Sequence, residues 1–282
     1  MFEVIESVQC IETDLEHTAY YITKRCNDTL HLLELFDRFT ARSRTTQILK
    51  SDYDSLAVDI ACGSGQFTQS IARHFDRIIG FDISKAQIDE AKSQNQRGNV
   101  EYRISSAEKI PLESNTVDLV TVSQAAHWLD FPAFCDEADR VLRPGGYIVV
   151  VSSIRKTLHH DDPILEAKIN DCNDRYMSVL NAYRLISLEK LHTFYGNLKY
   201  PYPETIRDTI GKNVQMSPAD YLNLTKTMSY SLKYRESNPH DTFFQEFEKS
   251  LVEILKNEGE NDGRFRLTFW YDMFIGQKGL QV

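Results

Sequence analysis

Two glycines and two aspartates are spaced so that together they could bind a small ligand. Gly63 and Gly65 follow an apolar run and precede a helical pattern, so the chain turns sharply there with its amides pointing outward. Asp59 precedes this turn and can lie beneath it, accepting hydrogen bonds from the turn amides or from an ammonium group. Asp82 ends the next predicted strand, where a carboxylate can accept hydrogen bonds from both hydroxyls of a ribose. These residues predict a ligand site at one edge of a sheet.

A second set of reactive side chains follows the fourth predicted strand. His127 and Trp128 come directly after it, and ligands of open α/β sheets bind beyond the carboxyl ends of the strands. His127 could act as a base, orient a substrate or serve only a structural role. Trp128 is expected to form a wall of the pocket.

The elements that position these residues alternate between strand and helix from residue 56 to residue 152. Apolar strands are predicted to begin near residues 56, 77, 100, 117 and 147, which indicates a parallel sheet with right-handed crossovers. Ser84 and Gln87 have the spacing of a capping box, so a helix is expected to begin directly after Asp82.

Composition excludes several classes of protein. The chain has 282 residues, of which 41% are hydrophobic, so it can bury the core of one large domain or two small ones. Its net charge of −9 argues against a nucleic-acid partner. The sequence has no signal-like start and no membrane-length apolar run, so we expect a cytoplasmic protein without a membrane partner. The five cysteines are widely spaced and predict neither disulfides nor a metal site, and nothing demands an oligomer, so a monomer is expected.

The glycine turn resembles motif I of the class I S-adenosylmethionine (SAM) methyltransferases, acid-x-Gly-x-Gly-x-Gly, with Ala61 at the first glycine position. Thr68 stands where a dinucleotide-binding fingerprint requires a third glycine, which disfavours a nicotinamide cofactor. A Ser-Ala-Glu stretch at 106–108 and the Leu-x-Pro-Gly-Gly turn at 142–146 follow in the order found in that family. The stretch Ala126-His127-Trp128-Leu129-Asp130 is similar to Ala-His-Trp-Phe-Asp of the trans-aconitate methyltransferase-like branch, in the small-molecule group.

This resemblance implies a Rossmann-like, seven-stranded α/β sheet with its last strand antiparallel, helices on both faces and a helical cap insertion. Residues 1–50 would form a helical segment covering the cofactor, 51–153 the SAM-binding core, 154–259 a substrate-binding cap with strand six, and 260–282 the closing strand. We expect strand six near 197–200, followed by a proline turn and a helix.

The same resemblance implies SAM as the cofactor, and twelve residues are expected to contact it. For Tyr20 the alternative is a role in helix packing without a cofactor contact. Ser106 stands where the family has an acidic residue, so it can form a hydrogen bond to the adenine but carries no charge. The expected contacts are Tyr20, Asp59, Ala61, Gly63, Gly65, Asp82, Ile83, Gln87, Ser106, Ala107, Glu108 and Ser123.

The resemblance further implies methyl transfer to a small molecule, with O-methylation of an organic acid to its methyl ester as the main expectation. Methylation of carbon or nitrogen on a quinone-like or heterocyclic acceptor, or SAM binding without turnover, are the alternatives. The tyrosine-rich cap carries no substrate motif. His127 and Trp128 are the expected catalytic and substrate-binding residues, and Arg155 and Arg184 are candidate carboxylate clamps.

Overall fold

The computed structural model describes residues 54–202, 205–256 and 263–279. Tyr20 and the predicted helical segment 1–50 lie outside these residues. The described chain forms two compact units, the first holding 54–152, 197–210 and 272–279, and the second holding 153–196 and 211–271. None of the described helices is long and apolar enough to span a membrane.

Seven described strands form one sheet in the order β3-β2-β1-β4-β5-β7-β6. They are β1 (Leu56–Ile60), β2 (Arg77–Asp82), β3 (Val100–Ile104), β4 (Val117–Ser123), β5 (Leu142–His159), β6 (Thr205–Met216) and β7 (Phe265–Gln277). Strands β1 to β5 pair in parallel, and the last strand is antiparallel, so the predicted fold class is confirmed. The chain leaves β1 toward β2 and β3 on one side and returns to β4 and β5 on the other, which makes the carboxyl ends of β1 and β4 the place where ligands bind in such sheets.

Three described helices belong to the first unit: α1 (Gln66–Ile71), α2 (Lys85–Ser93) and α3 (Phe131–Val141). The central strands β1 and β4 are buried along almost their whole length, as expected for a parallel sheet covered on both faces. Helix α2 begins as predicted, because the Gln87 amide donates to the Ser84 hydroxyl at 3.3 Å. Asp130 caps α3 by accepting from the Ala133 amide.

The second unit is mainly helical. Its described helices are α4 (Pro163–Asn181), α5 (Leu188–Gly196), α6 (Pro218–Lys226), α7 (Ser229–Ser237) and α8 (Phe243–Leu255). Aromatic rings fill its core: Tyr176 stacks on Phe247 with ring centroids 3.7 Å apart. Asp162 caps α4, and Ser217 forms a capping box with Asp220 at the start of α6.

Two element predictions differ from the structure. Strand β5 begins at Leu142 because Gly145 donates its amide to the Lys278 carbonyl, so the expected turn already belongs to the sheet. The predicted strand near 197–200 with a helix after Pro203 is wrong, because residues 197–200 contain no strand and Thr205–Met216 is strand β6. Its exposed and covered residues alternate, and its threonine, isoleucine and valine side chains favour an extended backbone.

Candidate cofactor and active site

The turn after β1 is built from left-handed backbone conformations. Ala61, Gly63 and Gly65 have φ values of 51°, 55° and 81°. Glycine adopts this region without strain, whereas an alanine there costs about 1–2 kcal/mol. The Cys62 amide donates to the Phe81 carbonyl at 3.0 Å, which ties the turn to the end of β2.

Asp82 holds the turn from the neighbouring strand. Its Oδ2 accepts from the Gly63 amide at 2.9 Å, and its Oδ1 accepts from the Ser84 amide at 2.9 Å. The sequence predicted that Asp59 accepts from the turn amides or from an ammonium group, whereas in the structure Asp82 accepts from the Gly63 amide. Each carboxylate oxygen of Asp82 keeps acceptor capacity, and the side chain is partly exposed, so it can also accept from the hydroxyls of a ligand.

Asp59 lies beneath the turn in a closed hydrogen-bond network. The Thr68 hydroxyl donates to its Oδ2 at 2.6 Å and the Thr121 hydroxyl donates to its Oδ1 at 2.9 Å. Asp59 is only 1% exposed. Burial raises the pKa of Asp59 to about 7, although both hydroxyl donors act in the opposite direction. Thr68, at the position of the missing third glycine, therefore anchors helix α1 to strand β1.

Tyr102 on β3 explains why residue 65 is glycine. A Cβ at Gly65 would lie 2.2 Å from the Tyr102 hydroxyl, and one at Gly80 would lie 2.7 Å from the same ring. The Tyr102 hydroxyl donates to the Gly65 carbonyl at 3.2 Å. By contrast, a Cβ at Gly63 would meet, among the residues that the structure describes, only Gln87 Oε1, at 3.5 Å. Gly65 is thus required by packing from below, while the outer side of Gly63 has room for a ligand.

The predicted contacts after β2 and β3 lie at adjacent strand ends. Ile83 is 68% exposed and Ile104, which the sequence analysis missed, is 53% exposed. The two strand ends are joined, because the Ser105 amide donates to the Asp82 carbonyl at 3.1 Å. These two exposed isoleucines provide an apolar surface next to Asp82.

The Ser-Ala-Glu stretch forms the next part of this edge. Ser106 is partly exposed and its carbonyl accepts from the Lys109 amide. Ala107 is buried, so it contributes packing. Glu108 is exposed and accepts from the Asp130 amide at 3.3 Å, which links this loop to the start of α3.

His127 and Trp128 occupy a single 3-10 turn, Ala126–Trp128, beyond the end of β4. Their ring centroids are 5.0 Å apart, and Trp128 is 47% exposed. Burial lowers the pKa of His127 to about 4, so the imidazole is neutral at pH 7. Ser123, the last residue of β4, is partly exposed at the same edge.

The two candidate arginines belong to the second unit and differ in burial. Arg155 is exposed, and its guanidinium carbon lies 5.5 Å from the centroid of the Trp270 ring. Arg184 is half-buried, 4.1 Å above the Tyr230 ring, and its Nε donates to Asn181 Oδ1 at 2.6 Å.

The sequence analysis missed Tyr102 and Thr121 as well as Ile104. Thr121 has a visible signal, since it is a polar residue inside the apolar strand β4. Tyr102 has none, because its role depends on the register that sets it opposite Gly80.

Comparison with known proteins identifies the family. A family model described as a methyltransferase domain matches residues 58–150. A methyltransferase of Dictyostelium discoideum is 31% identical over 224 residues, which cover 79% of this chain and 82% of that protein. A solved structure described as a type II methyltransferase from Anaeromyxobacter dehalogenans superposes with a TM-score of 0.67 at 24% identity, covering 83% of this chain and 95% of that one.

The chain therefore belongs to the methyltransferase family, and it is a class I SAM-dependent methyltransferase. Further relatives align over a smaller share of their length. The malonyl-[acyl-carrier protein] O-methyltransferase of Hahella chejuensis is 32% identical over 104 residues, 36% of this chain and 37% of that protein. The demethylmenaquinone methyltransferase of Staphylococcus saprophyticus is 29% identical over 123 residues, 42% of this chain and 53% of that protein.

Proposed function

We propose that this enzyme methylates a carboxylate oxygen of a small organic acid and releases the methyl ester. The observation that carries the proposal is the position of His127, a partly buried side chain in the 3-10 turn beyond the carboxyl end of β4. With its pKa lowered to about 4, the imidazole is a weak base at pH 7 and cannot efficiently remove a proton from a hydroxyl acceptor. A carboxylate, with an ordinary pKa of about 4, is already ionised and requires no base.

The residues at the strand ends fit SAM. Asp82 has remaining acceptor capacity for ribose hydroxyls, the outer side of Gly63 leaves room beside the main chain, and Ile83 with Ile104 offers apolar surface for a base. When bound, SAM supplies a methyl group on a positively charged sulfur, and the sulfide leaves as a neutral group.

The protein's own contribution is then mainly positional. Neutral His127 can donate one ring N–H to the acceptor carboxylate and fix its direction, and Trp128 can cover the acceptor and limit access of water. Neither residue has to exchange a proton with the substrate. The glycine turn and Asp82 would hold SAM, the methyl donor. The rate then depends on keeping the acceptor oxygen, the methyl group and the sulfur in line.

The relatives give some support to both the main proposal and its alternative. The malonyl-[acyl-carrier protein] O-methyltransferase is named for O-methylation of an acid-bearing substrate, which agrees with ester formation. The demethylmenaquinone methyltransferase keeps methylation of a quinone-like acceptor as the second candidate. Membership of the trans-aconitate-like branch, a monomeric state and a cytoplasmic location stay predictions.

The first test is SAM binding by isothermal titration calorimetry with wild type, Asp82→Asn and Asp89→Asn. In Asp82→Asn an NH₂ group replaces one of the two carboxylate oxygens and cannot accept from the backbone amide that it faces, so one of the two hydrogen bonds that position this side chain is lost. We therefore expect the affinity for SAM to fall about 10- to 100-fold. Asp89 is an exposed carboxylate on α2 paired with Lys85, and its variant should bind as wild type does. Equal affinity in all three proteins would refute the ribose assignment.

The second test identifies the methylated atom. Small organic acids are incubated with enzyme and methyl-labelled SAM, and the product is then treated with mild base. A carboxyl ester releases labelled methanol, whereas a methyl group on carbon or nitrogen stays attached. Label that resists base, or transfer only to quinone-like acceptors, would refute carboxylate methylation.

A further inference from the structure

The post-β3 segment, residues 105–112, contains neither helix nor strand, so its backbone groups need partners from elsewhere. Helix α3 supplies three of them. The Ile110 amide donates to Glu137 Oε1 at 2.6 Å. The Arg140 guanidinium donates to the Ile110 carbonyl at 2.8 Å and to the Leu112 carbonyl at 2.9 Å. Two side chains of one helix thus hold the end of the post-β3 segment.

Glu137 and Arg140 also bind each other. Arg140 donates from Nε to Glu137 Oε2 at 2.8 Å and from Nη2 to Glu137 Oε1 at 2.7 Å, which makes the pair bidentate. These hydrogen bonds lower the pKa of Glu137, so its carboxylate is ionised at pH 7. Only 14% of the Glu137 side chain is exposed. The pair therefore presents a fixed arrangement of donors and acceptor to the post-β3 segment.

The held end is connected to the start of the segment by a closed turn. Ser105 Oγ donates to the Lys109 carbonyl at 2.6 Å, and the Lys109 amide donates to the Ser106 carbonyl at 3.4 Å. The Ser105 amide donates to the Asp82 carbonyl at 3.1 Å. Residues 106–108 are therefore fixed on one side by strand β2 and on the other by α3.

Residues 106–108 form the tip of this turn and lie beside the proposed SAM site. Among the residues that the structure describes, none accepts a hydrogen bond from their three amides. Ala107 is buried, and a buried amide normally has an acceptor, so the tip suits a ligand that brings one. Ile104, directly before the segment, is exposed and offers apolar surface for a planar ring. Adenine combines both features, since its N1 accepts a hydrogen bond and its faces are apolar.

We propose that Glu137 and Arg140 are positioning residues for SAM, because they hold the post-β3 segment in the shape in which its amides bind the adenine. Neither side chain has to contact SAM itself. Their effect passes through the backbone of Ile110 and Leu112 to residues 106–108. This inference rests on the proposed placement of SAM at these strand ends, and it does not depend on which acceptor atom is methylated.

The alternative explanation is that the pair only stabilises the fold. Loss of Arg140 would then lower the melting temperature and weaken binding of every SAM analogue by a similar factor. A positioning role predicts a selective loss instead. Ligands that accept a hydrogen bond from the segment amides should lose affinity, whereas ligands without that acceptor have little to lose.

The test measures binding of S-adenosylhomocysteine and S-inosylhomocysteine by isothermal titration calorimetry, with thermal unfolding in parallel. The second ligand has hypoxanthine in place of adenine, and its N1 carries a hydrogen that prevents it from accepting from an amide. Wild type should bind the adenine ligand at least about 10-fold more tightly. In Arg140→Met we expect the adenine ligand to lose about 10-fold in affinity and the hypoxanthine ligand less than about threefold, so the preference largely disappears.

Two further variants of the pair are milder. Arg140→Lys keeps the charge without the planar donors. Glu137→Gln keeps one acceptor oxygen but places an NH₂ group against the Ile110 amide or the guanidinium. Both should show a preference for adenine between those of wild type and Arg140→Met. If Arg140→Met does not fold, these two variants decide.

Lys278→Met is the matched control, because Lys278 makes similar contacts near the end of α3. Its Nζ donates to two backbone carbonyls and one side-chain oxygen, those of Asp139, Leu142 and Asn115. Arg140 likewise donates to two backbone carbonyls and one hydroxyl outside its ion pair. None of these Nζ contacts involves the post-β3 segment. We expect Lys278→Met to lower the melting temperature while the preference for adenine stays as in wild type.

Equal binding of the two ligands by wild type would overturn the inference. So would a wild-type preference for adenine in Arg140→Met or, where that variant is unfolded, in both milder variants, and so would an equal loss of preference in Lys278→Met.

Binding of these ligands requires no acceptor, so the inference and the proposed function can fail separately. Loss of the preference in Arg140→Met without ester formation from any acid would support the inference and refute carboxylate methylation. Ester formation with an unchanged preference in Arg140→Met would leave the proposed function standing and refute the positioning role.

Discussion

Replacing Asp59 by asparagine should stabilise the first unit, by an amount that grows with pH. Asp59 is 1% exposed, and burial raises the pKa of its carboxyl group from 3.8 to about 7 on folding. Between pH 3.8 and about pH 7, the Asp59 carboxyl is ionised in the unfolded chain and protonated in the folded protein. The free energy of unfolding therefore falls as the pH rises and levels off above pH 7. Asparagine has no such dependence.

The size of this stabilisation follows from the two pKa values of Asp59, since each pH unit between them corresponds to about 1.4 kcal/mol. The variant should gain about 1.5 kcal/mol at pH 5 and about 4 kcal/mol at pH 8 from the ionisation difference. The network can persist, because an asparagine oxygen accepts from one threonine hydroxyl while its NH₂ donates to the other.

The assay is urea unfolding at pH 5, 6, 7 and 8 followed by tryptophan fluorescence. The chain has two tryptophans, so a Trp270→Phe background leaves Trp128 as the reporter of the first unit. Asp89→Asn serves as the control, because its carboxylate is exposed. A constant difference across this pH range, or a less stable variant at every pH, would show that Asp59 is ionised and stabilised by its threonine donors.

Three more outcomes are expected from the same geometry. Gly65→Ala should lower the free energy of unfolding by roughly 2 kcal/mol or more in urea, because the added methyl group would contact Tyr102. Gly63→Ala should lower it by about 1 kcal/mol and should mainly weaken SAM binding in calorimetry. A larger loss of stability in Gly63→Ala than in Gly65→Ala would contradict the packing argument. Ala61→Gly should raise stability by up to about 1 kcal/mol, since it relieves a left-handed alanine, and a loss would refute that strain. The methylation rate with a carboxylate acceptor should not change between pH 5.5 and 8, and His127→Gln should keep more activity than His127→Phe. A wild-type rate that changes with a pKa near 6.5 would indicate that His127 acts as a base.

The predictions that depended on local pattern were confirmed where one element determines them. The apolar run before Gly63, the Ser84 cap after Asp82 and the strand–helix alternation are local features, and the structure contains all three. The helix predicted after Pro203 was wrong, because in a short amphipathic stretch the choice of strand depends on pairing with a sheet edge that is distant in sequence.

The sequence by itself determined the family, the order of the elements from residue 56 to residue 152 and the positions of the turn and of Asp82, because these depend on residue type and short spacing. Only the tertiary structure decided which groups meet. It assigned the Gly63 amide to Asp82, surrounded Asp59 with Thr68 and Thr121, and set the Arg184 guanidinium over the Tyr230 ring. Strand register and burial control these contacts and the pKa values that follow from them, and both arise from interactions between residues far apart in the chain.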